Sequence, residues 1–217
     1  ELLAQQHTND PRQKSEWLKG TRFIITSAQN STEIDHVFLE SLKSCAKHLD
    51  AELLIIGTRY FPDSLNGLQR KQRDNLQYGR ELEPYLLTSD RHNDAINIFH
   101  SSLVLPTAKQ PVNSATAVNT GESFTLVGSP KQQLKSLPRS SHEKPRYAIA
   151  TGSVTVPNYS DSRAGAEAVA SHLMGAVYID LDPDTRLSWA TIEADQKGGF
   201  CLEQDYYRGG DAPYLMP

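Results

Sequence analysis

An imidazole and a carboxylate five residues apart, His172 and Glu167, form the first pair that could act as acid and base. They lie in Tyr147 to Asp182, a stretch crowded with hydroxyls and small residues between two runs that read as strands. Ser153, Ser160 and Ser162 are nucleophiles by type alone, since no GxSxG elbow surrounds any of them. A lone histidine just before a buried strand also has a plain structural use. A second set, Ser27, Gln29 and Asn30, follows a short apolar run and precedes a helix start whose free N–H groups can hold an anion. Neither GxGxxG nor GxxxxGK[ST] accompanies it, and capping and turn chemistry account for these residues equally well.

The third set is cationic. Lys131, Lys135, Arg139, Lys144 and Arg146 face only Glu143 in their stretch, and Arg70, Lys71, Arg73 and Arg80 gather earlier. In a chain of net charge −4, such a segment can meet phosphates while the acidic remainder avoids nonspecific adhesion. A solvated loop is the plainer reading of Lys131 to Arg146. Without aromatic residues before Tyr147, binding through this stretch would be sequence-tolerant. No metal or cofactor is expected. The seven histidines form no HExxH, and Cys45 and Cys201 are too far apart for CxxC and read as buried free thiols. Asp180, Asp182 and Asp184 alternate, yet an EF-hand loop from Asp180 would place Thr185 and Thr191 where Gly and Glu belong. A solvated acidic strand end explains them.

The elements that must carry these residues follow from apolar spacing. Phe23 to Thr26 and Leu53 to Gly57 read as buried strands. Between them Ile34, Val37, Phe38, Leu42, Cys45 and Leu49 keep helical spacing over Glu33 to Leu49, with Thr32 as cap and Asp35 in the capping-box position. Strand, helix and strand at this length make a βαβ unit with parallel strands. Residues 62 to 95 lose periodicity and hold one expected helix near Leu68 to Tyr85. Strands are then expected over Ile96 to Leu105, Ser123 to Val127, Tyr147 to Val156, Gly175 to Leu181 and Arg186 to Ile192.

The expected class is α/β: an N-terminal, Rossmann-like βαβ half over 22–95 continued by a β-rich C-terminal half over 96–217. Both halves are expected in one domain behind a tail or short helix over 1–21. At 217 residues and 38% hydrophobic content, the composition is that of an ordinary globular protein. No run of about 18 apolar residues predicts a membrane helix, and the first residues lack the order of a secretory signal.

Seven blocks, RFIITSAQN, AELLIIGTRY, LEPYL, LVLPTAKQP, LVGSPKQQLKSLP, ATGSVTVPNYSDSRAGAEA and GAVYIDLD, occur in an order that resembles a family of tailed-bacteriophage proteins of uncertain function. In its longer members a metallophosphoesterase-like domain follows a region of this size, and some members are linked to DNA transfer or nuclease activity. The resemblance points to Ser27, Gln29, Asn30, Pro106, Thr107, Gly128, Pro130, Lys131, Gln133, Thr151, Gly152, Asn158, Tyr159, Ser160, Gly165 and His172. The chain departs from the family at Gly128-Ser129-Pro130-Lys131, where Gly-His-Pro-Lys is usual. It departs again at His172-Leu173, where paired histidines are usual, and at Arg163, where lysine is usual. Loss of those two histidines would leave a binder in place of an enzyme, if they were catalytic or metal ligands.

The resemblance implies a phage protein acting in the host cytoplasm, away from any membrane. Two readings stay open. One is a nucleic-acid-handling module whose Lys131, Lys135, Arg139, Arg70 and Arg73 contact phosphates, with Ser27, Gln29, Asn30, Thr151, Asn158 and Arg163 as anion or ligand contacts. The other is a factor that engages a host enzyme or defence protein through the acidic C-terminal part. A small hydrolase built on His172 and Glu167 is the third possibility.

Overall fold

Alternate residues of the first long strand are buried against different neighbours. The computed structural model describes residues 16–60, 78–99, 104–117, 123–138, 146–181 and 188–215. Its strands in chain order are Glu16–Trp17 (β1), Arg22–Gln29 (β2), Glu52–Thr58 (β3), Arg91–His92 (β4), Ile96–Ile98 (β5), Phe124–Val127 (β6) and Ser129–Leu137 (β7). Arg146–Gly152 (β8), Gly175–Asp180 (β9), Ser188–Glu193 (β10), Phe200–Leu202 (β11), Asp205–Tyr207 (β12) and Tyr214–Leu215 (β13) complete them. The α-helices are His36–His48 (α1), Val112–Ala117 (α2) and Arg163–Ser171 (α3), and Arg80–Leu82 forms a 3-10 turn.

Strand β2 pairs parallel with β3 and α1 lies between them in the chain, as the apolar spacing predicts. Its other edge pairs antiparallel with β9, which pairs antiparallel with β10. The resulting four-stranded order is β10-β9-β2-β3. A second sheet runs β1-β4-β5-β6-β8-β7 with mixed orientation, and β11-β12-β13 form a small third sheet. The late strands β9 and β10 thus extend the sheet begun by β2 and β3.

Pleat geometry explains the layering. Phe23, Ile25, Leu54, Ile56, Val177 and Ile179 share one core with Ile96, Ile98, Phe124, Leu126 and Ile149 of the six-stranded sheet. The alternate residues Ile24, Leu53, Ile55, Ala176 and Tyr178 pack instead with Phe38, Leu39, Leu42 and Cys45 of α1. Val127, Ala148 and Ala150 on the outer face of the six-stranded sheet meet Val112 and Ala115 of α2. The order is thus helix, sheet, sheet, helix, and strands buried on both faces need the near-continuous apolar runs that the sequence carries.

Several local expectations change. Asp35, not Thr32, caps α1, its Oδ1 accepting from Phe38 N at 2.9 Å. Lys131 to Leu137 is strand, not loop, because β7 pairs with the apolar β8. The polar stretch before β9 contains α3, capped by Ser162. Asp180 is buried, at 7% exposure, and its carboxylate accepts from Arg22 Nε at 3.2 Å, so it is no solvated strand end. Cys45 is buried as expected, whereas Cys201 is exposed. Of the helix expected over Leu68 to Tyr85, residues 68–77 lie outside the described residues; in the described remainder Arg80–Leu82 makes one 3-10 turn.

Candidate functional site

The C-terminal end of β2 meets the C-terminal end of β8 in a mesh of hydroxyl and amide groups. Ser27 Oγ donates to Gly152 O at 2.6 Å, and Ser153 Oγ donates to Ser27 O at 3.2 Å. Gln29 N donates to Thr155 Oγ1 at 3.0 Å, and Gln29 Nε2 reaches Asn158 O at 2.9 Å. Asn30 Oδ1 accepts from Tyr60 N at 2.7 Å. Thr151 Oγ1 turns back on Gly152 O at 2.9 Å. Gly152 itself has φ +85°, a conformation that favours glycine, and a Cβ there would strike the backbone of Gly175.

The sequence-predicted residues Ser27, Gln29, Asn158 and His172 are thereby linked through bonds to one loop, 152–160, that carries Thr155. Four of these six donors go to a backbone carbonyl, and the other two, Gln29 N and Tyr60 N, go to the side-chain oxygens of Thr155 and Asn30. Ser27, Thr151, Ser153 and Thr155 are fully buried, and Gln29 and Asn30 nearly so. Among the described residues Gln29 Oε1 and Asn30 Nδ2 are buried without a hydrogen-bond partner.

His172, which caps the C-terminus of α3, joins the same loop. Its Nε2 lies 2.6 Å from Thr155 O, which can only accept, so Nε2 carries the proton. Nδ1 then accepts from Tyr159 OH at 2.9 Å. Burial holds the imidazole below its ordinary pKa, opposed by the bond to Thr155, and so favours this neutral form. Both ring nitrogens are occupied. Glu167 holds a different set of partners: its carboxylate lies 3.2 Å from Arg163 Nε and 3.3 Å from Lys109 Nζ. The arrangement supplies a braced loop, and among the described residues no base bonds to any of its buried hydroxyls. Among the described residues no group of three or more His, Cys, Asp or Glu side chains is placed to hold a metal ion.

The cationic residues gather elsewhere. Among the described residues β7 ends the six-stranded sheet and no further strand pairs with its outer edge, although Pro130 O accepts from Leu173 N at 2.8 Å. Lys135 Nζ lies 3.5 Å from Asn113 Oδ1, and Gln133 Nε2 donates to Lys109 O at 3.3 Å. Lys131 and Lys109 line one groove of about 370 Å³ with Glu167 of α3. Lys109, Lys131, Lys135 and Arg163 therefore share this side of the molecule with the Glu167 carboxylate. Spacing does not mark Lys109 as one of the group, because it precedes the basic stretch in the chain and only the folding of β7 brings it beside Lys131. Arg70, Arg73 and Arg139 lie outside the described residues.

Gln132, within the block LVGSPKQQLKSLP, lies on the opposite face of β7 and turns inward. Its Nε2 lies 3.0 Å from Thr151 O, 2.9 Å from Ala176 O and 3.3 Å from Ile192 O. A single amide thus ties β8 of one sheet to β9 and β10 of the other.

No protein-family model matches the chain, and no solved structure matches it. Among curated proteins it is similar to "Protein A1" of Escherichia phage T5, with 32% identity over 190 residues. That alignment covers 84% of this chain and 33% of the phage protein, so the chain spans about a third of the length of the curated relative it matches. The chain is a homologue of a phage protein, in keeping with the ordered sequence blocks.

Proposed function

We propose that this chain is a phage nucleic-acid-handling module that holds the phosphate backbone along strand β7 inside the infected host cell. The observation that carries this reading is the grouping of Lys131 and Lys135 on an edge strand beside Lys109 and Arg163, with Glu167 as the carboxylate among them. Ammonium groups on an exposed strand can follow a charged backbone without reading bases. Edge lysines also keep sheets from pairing edge to edge, so the cations by themselves do not demand a ligand. Salt dependence separates the two uses.

Titration of a labelled oligonucleotide at several salt concentrations should show affinity falling steeply with salt. In the Lys131→Ala/Lys135→Ala variant the slope of log affinity against log salt should shrink by roughly 0.7–0.9 for each phosphate no longer neutralised. All sequences should weaken alike. An unaltered slope, or no binding by the parent chain, defeats the proposal. A second reading, engagement of a host protein, is favoured by Tyr214 and Leu215, which stand 54% and 69% exposed on the end strand of the small sheet. Retention of a host partner by the parent and its loss in Tyr214→Ser/Leu215→Ser, with no oligonucleotide binding, would favour that reading.

A further inference from the structure

The groove between α3, β7 and the segment Thr107 to Lys109 is walled by the small residues Ala108, Ala168 and Ala170, which leave room for a ligand. Its volume of about 370 Å³ falls near the lower end of small-ligand sites, roughly 300–1,000 Å³. We infer that this groove is a phosphate pocket in which Glu167 holds the cations until a phosphate group displaces it. The inference rests on the nucleic-acid reading for its natural ligand, a backbone or terminal phosphate.

Charge and geometry carry the argument. Glu167 bridges two cations from different segments, Oε2 to Lys109 Nζ at 3.3 Å and Oε1 to Arg163 Nε at 3.2 Å. Lys109 is 82% and Arg163 93% exposed at the side chain, so both pairs are solvated and readily exchanged. Lys131 lines the same groove without a carboxylate partner among the described residues. A phosphate presents oxygens suited to the same ammonium and guanidinium donors as a carboxylate. On entering, it would meet Lys131 directly and compete with Glu167 for Lys109 and Arg163. The carboxylate therefore lowers affinity for anions, and it orients the two side chains in their absence.

The experiment uses two probes, a labelled oligonucleotide followed by anisotropy and inorganic pyrophosphate followed by backbone amide shifts. Pyrophosphate should shift the amides of Thr107 to Lys109 and Lys131. Glu167→Gln should bind both probes about two- to fivefold more tightly at low salt, the size expected for removing one solvated charge partner. The gain should shrink as salt is raised. Adding Lys109→Ala should reduce the gain. If Glu167→Gln changes neither affinity while Lys131→Ala/Lys135→Ala still weakens the oligonucleotide, the pocket is refuted and the backbone reading stands. If the oligonucleotide fails to bind but pyrophosphate binds and is tightened by Glu167→Gln, the pocket stands and the nucleic-acid reading falls. No response to either probe sinks both.

Discussion

A neutral His172 donates through Nε2 to Thr155 O and accepts at Nδ1 from Tyr159 OH, which makes it a brace for the loop before α3. Its folded pKa is depressed by burial, so the unfolded chain binds the proton more readily. Stability from this group is present in full above the unfolded value of about 6.5 and is lost as pH falls from there through the folded pKa. Chemical denaturation from pH 7.5 down to 5 should show that decline. His172→Gln should be less stable at pH 7.5 and should flatten part of the decline; parallel profiles for parent and variant would contradict the account. Gly165, in the first turn of α3, is constrained by the same loop: a Cβ built there would overlap the carbonyl oxygen of Ser160. Close packing of loop on helix, not chemistry, accounts for glycine at that position.

Strand β7 has two faces with different tasks. Gln132 faces inward to the carbonyls of β8, β9 and β10, while Gln133 and Lys135 face Lys109 and Asn113. An irregularity in the pairing with β8 between Ser129 and Gln133 shifts the register there. Such bulges twist a strand and suit an edge. Replacing both edge lysines by a strand-favouring apolar residue, Lys131→Val/Lys135→Val, should promote pairing between copies. Sedimentation velocity should then show concentration-dependent association in the variant and a single smaller species in the Ala variant. A single smaller species in the Val variant as well would remove any protective role of the edge lysines.

The two large sheets are held together chiefly by apolar contact, since their shared core is formed by residues such as Phe23, Ile25, Phe124, Leu126 and Val177. Gln132 adds a polar tie at one end of that contact. Gln132→Leu keeps the approximate size but takes away the donor that these three carbonyls share. Leaving buried acceptors unpaired should cost about 1–3 kcal/mol. The denaturation midpoint should fall while the denaturant slope stays constant, because the surface exposed on unfolding hardly changes. An unchanged midpoint would show that other groups satisfy those carbonyls.

The sequence by itself determined β2, α1, β3 and their parallel pairing, because these elements are specified by local periodicity: unbroken apolar runs for the strands, and Phe38, Leu42 and Cys45 on one helical face. It marked Ser27, Gln29 and Asn30 as a turn after the first strand, but Ser27 and Gln29 lie within β2, whose pairing with β3 runs on to Gln29. Only the tertiary structure decided where β9 and β10 go. Pairing of β2 with β9 joins Arg22 to Asp180, 158 positions away, and no local pattern records such a partner. For the same reason Asp180 reads as a solvated acid in the sequence but is buried against arginine in the fold. The basic stretch reads as loop because β7 carries polar side chains at most positions; its strand geometry comes from hydrogen bonds to β8. His172 and Glu167 are neighbours in sequence, yet one turns inward to Thr155 and the other outward to Lys109. Side-chain direction on and beyond a helix, together with burial, separates them, and spacing alone records neither.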